Sequence, residues 1–478
     1  MNIYIPIEVK VREIEGRTLL ALAAAERGHT VILGGKEDTL VLARKGYLPP
    51  GILHDKSLTP GDKKIDYLIK LLKNGHLVTS QDEESGLMDE SYKYFASIRF
   101  SDVTISKASR IFAWGEHDFE ALKDVSHSYS DRISCTGSPR VDFWREDFAK
   151  YYQHNGFNLR GTENVRPLIL VASNFGSSLN ENRIWNRIAR SREAGYYERD
   201  PERESYEYEN EAYQLRLIRE FIFMIRELVT EYQDIDVLLR PHPVESVDAW
   251  VKLMGDYPRV IIHRNGTISG WIRSANLLIQ NGCTSALEAA ACGIPRIAYR
   301  PLPSELEREI PNQLSYHAFS MAELKKYIND ILANRLPSDY KKVEQIRKEI
   351  VDTRFSNLTG KLAADRMVDE WEIIGESIQS EQISPEALIR LKPKKNGPIK
   401  QILKNSYLQV RNAIKPPSDT NKPKQKYLKT GHKFPGFEES ELKSLIESLR
   451  FSLDRFHDVD FTRFGERSFV LYSRKKST

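Results

Sequence analysis

Two segments carry residues whose types and spacing suit the binding of an anion. Val237-Leu-Leu-Arg-Pro-His-Pro243 and Leu278-Ile-Gln-Asn-Gly-Cys-Thr-Ser-Ala-Leu-Glu-Ala-Ala-Ala-Cys-Gly-Ile-Pro295 each run apolar and then stop abruptly in polar chemistry. That pattern is expected where a buried parallel strand delivers residues to the carboxyl edge of a sheet, the edge at which open α/β folds bind ligands. The first segment presents Arg240 and His242 between prolines, Pro243 among them, that fix the local backbone. The second presents Asn281, Gly282, Thr284 and Ser285 just before residues 286–291, which are helical by propensity. A helix start with free N–H groups and hydroxyls attracts anions, and the natural anion is a phosphate. With an ordinary pKa of about 6.5, His242 in its protonated form would neutralise a departing phosphate or act as general acid toward it. The plainer alternative is a rigid strand-end turn with a solvated histidine. Arg240 would assist or simply brace the strand end. Glu288, one turn into the helix, would hydrogen-bond a ribose or face solvent. Ser173, Asn174 and Gly176, in the run 173–177 after the strand candidate 166–172, would cradle a donor with their backbone unless they form only a turn.

A second cluster suits proton transfer. Gln81-Asp-Glu-Glu-Ser-Gly86 follows a short strand candidate, 76–80, which itself follows a helical stretch, 64–73. Asp82, Glu83 and Glu84 therefore fall on the loop leaving a strand's carboxyl end. Adjacent acids raise one another's pKa by like-charge repulsion, so one could serve as the base that takes a proton from an acceptor hydroxyl. Asp82 is the first choice and Glu84 the next; a solvated acidic turn is the alternative. Gly16, beside Glu13 and Glu15, reads as a helix-start glycine or as a point of close acceptor approach.

These residues need a scaffold of parallel strands, and the alternation of short apolar runs with helical patterns supplies it. In residues 1–150, strands are expected at 3–7, 30–33, 76–80, 110–114 and 132–135, with helices at 16–27, 64–73 and 116–123. Gly34-Gly35 is not a GxGxxG fingerprint, which counts against a dinucleotide site. A second alternation over 151–375 has strands at 166–172, 236–240, 259–263, 276–280 and 295–299, and helices at 211–229 and 344–374. The fold expected is therefore α/β, with two Rossmann-like doubly wound domains facing a cleft, the GT-B architecture. Between the run 173–177 and the helix 211–229, residues 183–208 are dense in Arg, Glu and Tyr and read as a helical lid, an acceptor surface or a solvated face. Residues 376–478 form a C-terminal extension. Within it, 392–415 has no acid and alternates basic with apolar residues, and 422–429 adds positive charge. Such a stretch, 392–429, suits an anionic membrane surface or a flexible basic linker. Residues 434–469 read as a small helical appendage.

At 478 residues the chain is too long for one ordinary core. The formal charge of +4 is too small to argue for nucleic acid. Cys135, Cys283 and Cys292 show no CxxC spacing and cannot build a disulfide framework, so a reducing cytoplasm is the simplest home. The N-terminus lacks a basic region followed by an apolar core, and no run approaches 18 apolar residues, so neither a signal peptide nor a membrane span is expected. No Asp-x-Asp is placed for a divalent cation, and neither a metal nor another cofactor is expected.

Arg240-Pro-His-Pro243, a following strand and the Thr284-Ser285 helix start together resemble the nucleotide-binding domain of GT-B glycosyltransferases that use CMP-activated acidic sugars. Bacterial sialyltransferases, polysialyltransferases and capsular Kdo transferases form that group; the CDP-glycerol glycerophosphotransferases of teichoic acid synthesis are more distant. With Gln81–Gly86 and Cys135-Thr-Gly-Ser-Pro-Arg-Val-Asp142, the wider pattern is similar to the bacterial surface carbohydrate biosynthesis proteins, over roughly the first 370 residues. The resemblance implies that His242 and Pro243 contact the CMP phosphate and that Thr284 and Ser285 hold phosphate or the sugar carboxylate. It maps the acidic motif that supplies the base onto Asp82-Glu-Glu-Ser-Gly86, with one extra residue before the glycine. The implied activity is transfer of Kdo or a nonulosonic acid (sialic, legionaminic or pseudaminic) from a CMP donor to a glycan or lipid-linked glycan acceptor at the inner face of the membrane. The alternatives are a CDP-glycerol-type phosphotransferase, a UDP-N-acetylglucosamine 2-epimerase-like enzyme and a non-catalytic scaffold of polysaccharide assembly.

Overall fold

A computed structural model describes residues 1–87, 96, 98–158, 166–176, 178–180, 184–193, 195–378, 382–384, 386–388, 434, 436 and 438–475. The basic stretch 392–429, Ser177 and Arg183 lie outside the described residues. The chain divides into two compact units, one of Met1–Gly86, Tyr92–Phe143 and Phe355–Thr478, the other of Leu87–Ser91 and Trp144–Arg354. Each is an α/β unit built on its own parallel sheet, as the alternating pattern predicts. No helix among the described residues is long and apolar enough to cross a membrane.

The first unit's strands are β1 (Asn2–Ile7), β2 (Thr30–Gly35), β3 (Ile52–Asp55), β4 (Leu77–Ser80), β5 (Arg110–Ala113) and β6 (Ile133–Cys135). They are parallel in the order β2-β1-β3-β4-β5-β6. The order reverses between β1 and β3, which makes the carboxyl ends of these strands the topological switch point. The helix Lys10–Glu26 starts six residues before the expected position. Its start is held by Glu13, whose carboxylate accepts the N–H groups of Glu8 and Val9 at 2.8 and 3.0 Å. Gly16 is thus inside the helix, where a Cβ would stand 3.0 Å from the backbone nitrogen of Arg140. It serves close packing, not the helix start. Leu19–Ala25 are all buried, so this Ala- and Leu-rich helix is enclosed on every side.

The C-terminal region corrects the expectation of an appended helical extension. After the helix Glu439–Leu453, strands β13 (Val459–Arg463) and β14 (Ser468–Ser473) form an antiparallel hairpin, and β14 pairs antiparallel with β2. The sheet is thereby extended to eight strands. Gly34 explains why the hairpin fits: its φ is +153°, and a Cβ there would stand 2.3 Å from the Arg467 carbonyl oxygen. The glycine pair that lacks a nucleotide fingerprint is a docking point for backbone. The single helix expected over 344–374 is two, Tyr340–Arg354 in the second unit and Ala363–Gly375 in the first. The break has a partner: the Asp142 carboxylate accepts the N–H groups of Ala363 and Ala364 at 2.9 and 3.1 Å and the Asn357 amide at 2.7 Å. It starts the second helix as a distant cap. The domain limits at 150 and 375 are displaced accordingly.

The second unit's strands are β7 (Leu168–Ala172), β8 (Asp236–Arg240), β9 (Val260–Ile262), β10 (Leu277–Gln280), β11 (Arg296–Tyr299) and β12 (Tyr316–Ala318). All pair in parallel, in the order β12-β11-β10-β7-β8-β9. The reversal lies between β7 and β10. Ile169, Val171, Val237, Leu239, Leu277 and Ile279 face one core, which holds Phe221, Met224 and Leu228 of the helix Glu202–Glu231. Leu170, Ala172, Leu238 and Leu278 face the other, against the helices Ile268–Ser274 and Ser285–Ala291. Burial on both faces is why these strands read as unbroken apolar runs. The long helix begins nine residues before its expected start, taking in the end of the charged stretch, whose earlier part forms the helices Ile184–Glu193 and Tyr196–Arg199. There, Glu207 accepts from Tyr197 at 2.7 Å and from Arg203 at 3.2 Å.

Candidate functional site

In the second unit the loops after β7, β8 and β10 meet at the switch point. The Ser173 hydroxyl donates to Glu245 Oε2 at 2.6 Å and accepts the His242 N–H at 3.3 Å. The Asn174 amide donates to the Gly282 carbonyl at 2.9 Å, joining the β7 and β10 loops across the reversal. Gly282 has φ +62°, the left-handed region, with a prospective Cβ 3.2 Å from Arg308. Only glycine makes this turn without strain. The Gly282 N–H goes to Asn312 Oδ1 at 2.9 Å and the Cys283 N–H to Gln280 Oε1 at 2.8 Å. The helix after them spans only Ser285–Ala291, with Thr284 before it; the N–H groups of Ala286 and Leu287 turn back to the Cys283 and Thr284 carbonyls at 3.0 and 3.1 Å. The Ser285 hydroxyl donates to Cys283 Sγ at 3.1 Å. Burial pushes the Cys283 thiol up, which keeps it protonated and fits a packing role.

His242 is half-buried, and its Nδ1 accepts the Val244 N–H at 3.3 Å, which places the proton of the neutral ring on Nε2. Pro243 is exposed beside it. Glu245 is the hub that the sequence pattern does not reveal. It is buried, and its carboxylate accepts Ser173 Oγ, the Phe175 N–H at 2.7 Å and Trp250 Nε1 at 2.8 Å. Burial raises its pKa, against the opposing pull of these hydrogen bonds.

Three of the expected donor residues face the protein itself. Arg240 donates to the carbonyls of Asn265 and Gly266 at 3.0 and 2.6 Å, and burial lowers its pKa to about 10. Glu288 is buried, not on a helix surface, and takes a hydrogen bond from the Ser269 hydroxyl of the neighbouring helix. The Asn281 amide donates to the Tyr299 carbonyl at 2.9 Å and to Glu307 at 3.2 Å. Gly176, at φ +58°, has open space where a Cβ would stand.

In the first unit the acidic loop leaves β4 beside the switch point, and each of its acids meets an arginine. Asp82, fully enclosed, takes Arg99 Nε and Nη2 at 2.9 and 2.5 Å and the Glu84 N–H at 3.0 Å. Burial raises its pKa and Arg99 opposes the rise. Glu84 is half-buried and pairs with Arg12. Glu83 stands 2.5 Å from Arg17 Nη2, off the hydrogen-bonding axis. Glu83 and Arg17 line a small cavity with Arg12, Glu13, Gly16, His54, Gln81 and Arg140. Glu13, within this cavity, has its pKa raised first by burial and then by the charge of Glu83. Burial lowers the pKa of His54 and keeps it neutral. Arg17 and Arg99 were not singled out by sequence; an arginine 66 positions before Glu83 and another 17 after Asp82 carry no spacing signal toward the acidic loop.

No family model matches the chain, and no curated protein matches it in sequence. Among solved structures, it is similar to S. aureus MnaA in complex with UDP, with 12% identity and a TM-score of 0.43 over 80% of this chain and 98% of that one. It is also similar to a UDP-GlcNAc 2-epimerase from Neisseria meningitidis bound to UDP-GlcNAc, at 10% identity and TM-score 0.43, covering 78% and 100% of the two chains. A third is the wall teichoic acid polymerase TagF soaked with CDPG, at 13% identity and TM-score 0.40, covering 69% and 73%.

Proposed function

We propose that the protein is a glycosyltransferase that moves an acidic sugar, Kdo or a nonulosonic acid, from a CMP donor to a growing bacterial surface glycan. The observation that carries this reading is the hydrogen-bonded meeting of the β7, β8 and β10 loops at one switch point, with His242, Thr284 and Ser285 among their residues. The donor's phosphate takes the hydroxyls of Thr284 and Ser285 beside the positive end of the short helix, once Ser285 turns from Cys283. His242, with Nδ1 occupied by the Val244 N–H, presents its Nε2–H as a hydrogen-bond donor toward that phosphate. Glu245 is a positioning residue, fixing Ser173 and through it the His242 backbone.

At the first unit's edge, enclosure of Asp82 by Arg99 favours Glu83 as the base that an acceptor hydroxyl reaches. In the transfer, Glu83 takes the hydroxyl proton and the acceptor oxygen bonds to the anomeric carbon. The bond from that carbon to the phosphate oxygen breaks, and the departing CMP phosphate takes hydrogen bonds from His242 Nε2–H and from the Thr284 and Ser285 hydroxyls. The same reading has the stretch 392–429 resting on an anionic membrane surface.

The test is release of the nucleotide from CMP-Kdo, CMP-N-acetylneuraminate, CDP-glycerol and UDP-N-acetylglucosamine, each with and without a glycan acceptor. CMP release that rises with acceptor and is lost in His242→Ala is the expected result. Turnover of CDP-glycerol alone, acceptor-independent turnover of the UDP sugar, or no turnover of any donor would replace the reading with one of its rivals.

A further inference from the structure

At the opposite, amino edge of the second unit's sheet lies a cavity of about 330 Å³, lined by Cys292, Arg296, Tyr316, Tyr340, Glu344 and Arg347. Its position follows from topology: Arg296 and Tyr316 are the first residues of β11 and β12, and Cys292 follows the last turn of the helix Ser285–Ala291. It is therefore separate from the switch point at the carboxyl edge. Arg296 is 3% exposed, and Nη1 donates to the Ile294 carbonyl at 3.2 Å. Its Nε and Nη2 have no hydrogen-bond partner; the nearest acid, Glu344, is 3.7 Å from Nη2. Glu344 is engaged by Arg347 Nε at 2.6 Å, so the two guanidiniums share one carboxylate and the lining keeps one net positive charge. Two guanidiniums sharing one carboxylate leave a positive charge unmatched at a largely buried position, and the partner that fits is an oxyanion.

We propose that this cavity binds a small metabolite carrying an oxyanion, a phosphate ester or a carboxylate, that pairs with the guanidiniums of Arg347 and Arg296. The volume falls at the lower end of the roughly 300–1,000 Å³ typical of small-molecule sites. A bare phosphate would leave most of it empty, so the ligand carries a body of about the size of one sugar ring. Tyr316, stacked on Tyr327 at 5.3 Å, and Tyr340 give that body aromatic walls. Burial holds the Tyr316 hydroxyl protonated, with its pKa pushed up to about 12, so it remains a donor. The Cys292 thiol is likewise pushed up to about 12 and acts as a wall, not a nucleophile.

Calorimetric titration of the full chain with glucose 1-phosphate, glucuronate and inorganic phosphate tests the proposal and separates ester, carboxylate and free ion. Glucose 1-phosphate or glucuronate should bind saturably and more tightly than inorganic phosphate. That binding should weaken by at least about tenfold in Arg347→Ala and Arg296→Gln, the loss of one charge-assisted hydrogen bond, and stay unchanged in Ser285→Ala. Should Arg296→Gln fail to fold, the half-buried Arg347→Ala carries the comparison. Absence of saturable binding for all three probes, undiminished binding in Arg347→Ala, or loss in Ser285→Ala instead would overturn the site.

Discussion

The carboxyl edges of the two sheets are made from the same kind of strand yet carry opposite chemistry. At the first, acids and cations alternate: Asp82 with Arg99, Glu83 with Arg17, Glu84 with Arg12, Asp55 with Lys64 and Glu8 with Lys36 and Lys56. At the second, hydroxyls, amides and an imidazole are tied by hydrogen bonds, and the buried Glu245 is held by the neutral donors Ser173, Phe175 and Trp250. Ion pairs make acids whose affinity for a proton depends on which partner is present, as proton transfer requires. A neutral network makes a shaped receptor for a ligand that brings its own charge.

The largest effect that the comparison predicts is on the donor edge. His242→Ala should lower kcat/KM by about 10²–10³-fold, the usual worth of one hydrogen-bond donor to developing negative charge, with little change in Tm. A fall below tenfold would remove His242 from the chemistry. At the acceptor edge, Glu83→Gln should cost about 10²–10³-fold in kcat, while Glu84→Gln costs less than about tenfold because that exposed pair with Arg12 is weak. Equal losses for the two variants would break the assignment of Glu83. Glu245→Gln turns an amide NH₂ toward donors, so urea unfolding should show about 1–3 kcal/mol less stability, with Ser173 and His242 displaced together.

Much of the second unit's carboxyl edge was legible as a strand-end cluster because buried strands end in sharp polarity changes, as at Leu239-Arg240 and Ile279-Gln280. The two-unit α/β fold was legible for the same reason. What stayed hidden depends on contacts distant in sequence. Nothing local to Ser468 says that it will lie against Gly34, and nothing local to Asp142 says that it will start the helix at Ala363. Glu245 reads as one more solvated loop acid until Ser173, Phe175 and Trp250 are placed around it. Glu288 misleads in the other direction: in a short helix its burial is set by Ser269 on a neighbouring helix, not by its own periodicity.

The smallest predicted effect is a pH dependence that separates the two kinds of edge. The folded-state pKa of Glu245 is raised, so the folded protein holds this proton more tightly than the unfolded chain does. Its contribution is then fully present below the unfolded value of about 4.3 and is lost as pH rises through the folded value. The stability of wild type relative to Glu245→Gln should therefore decline with rising pH in the window just above about 4.3. Unfolding curves of both proteins across that range supply the check, and a difference that grows with pH would mean that the hydrogen bonds outweigh burial.

The central claim, that the second unit's edge receives a cytidylate phosphate, is tested most directly by calorimetric titration of wild-type and His242→Ala protein with CMP, CDP, UDP and GDP. Selective binding of CMP, weakened in the variant, is the predicted result. Preference for UDP or GDP, or no nucleotide binding, would contradict it.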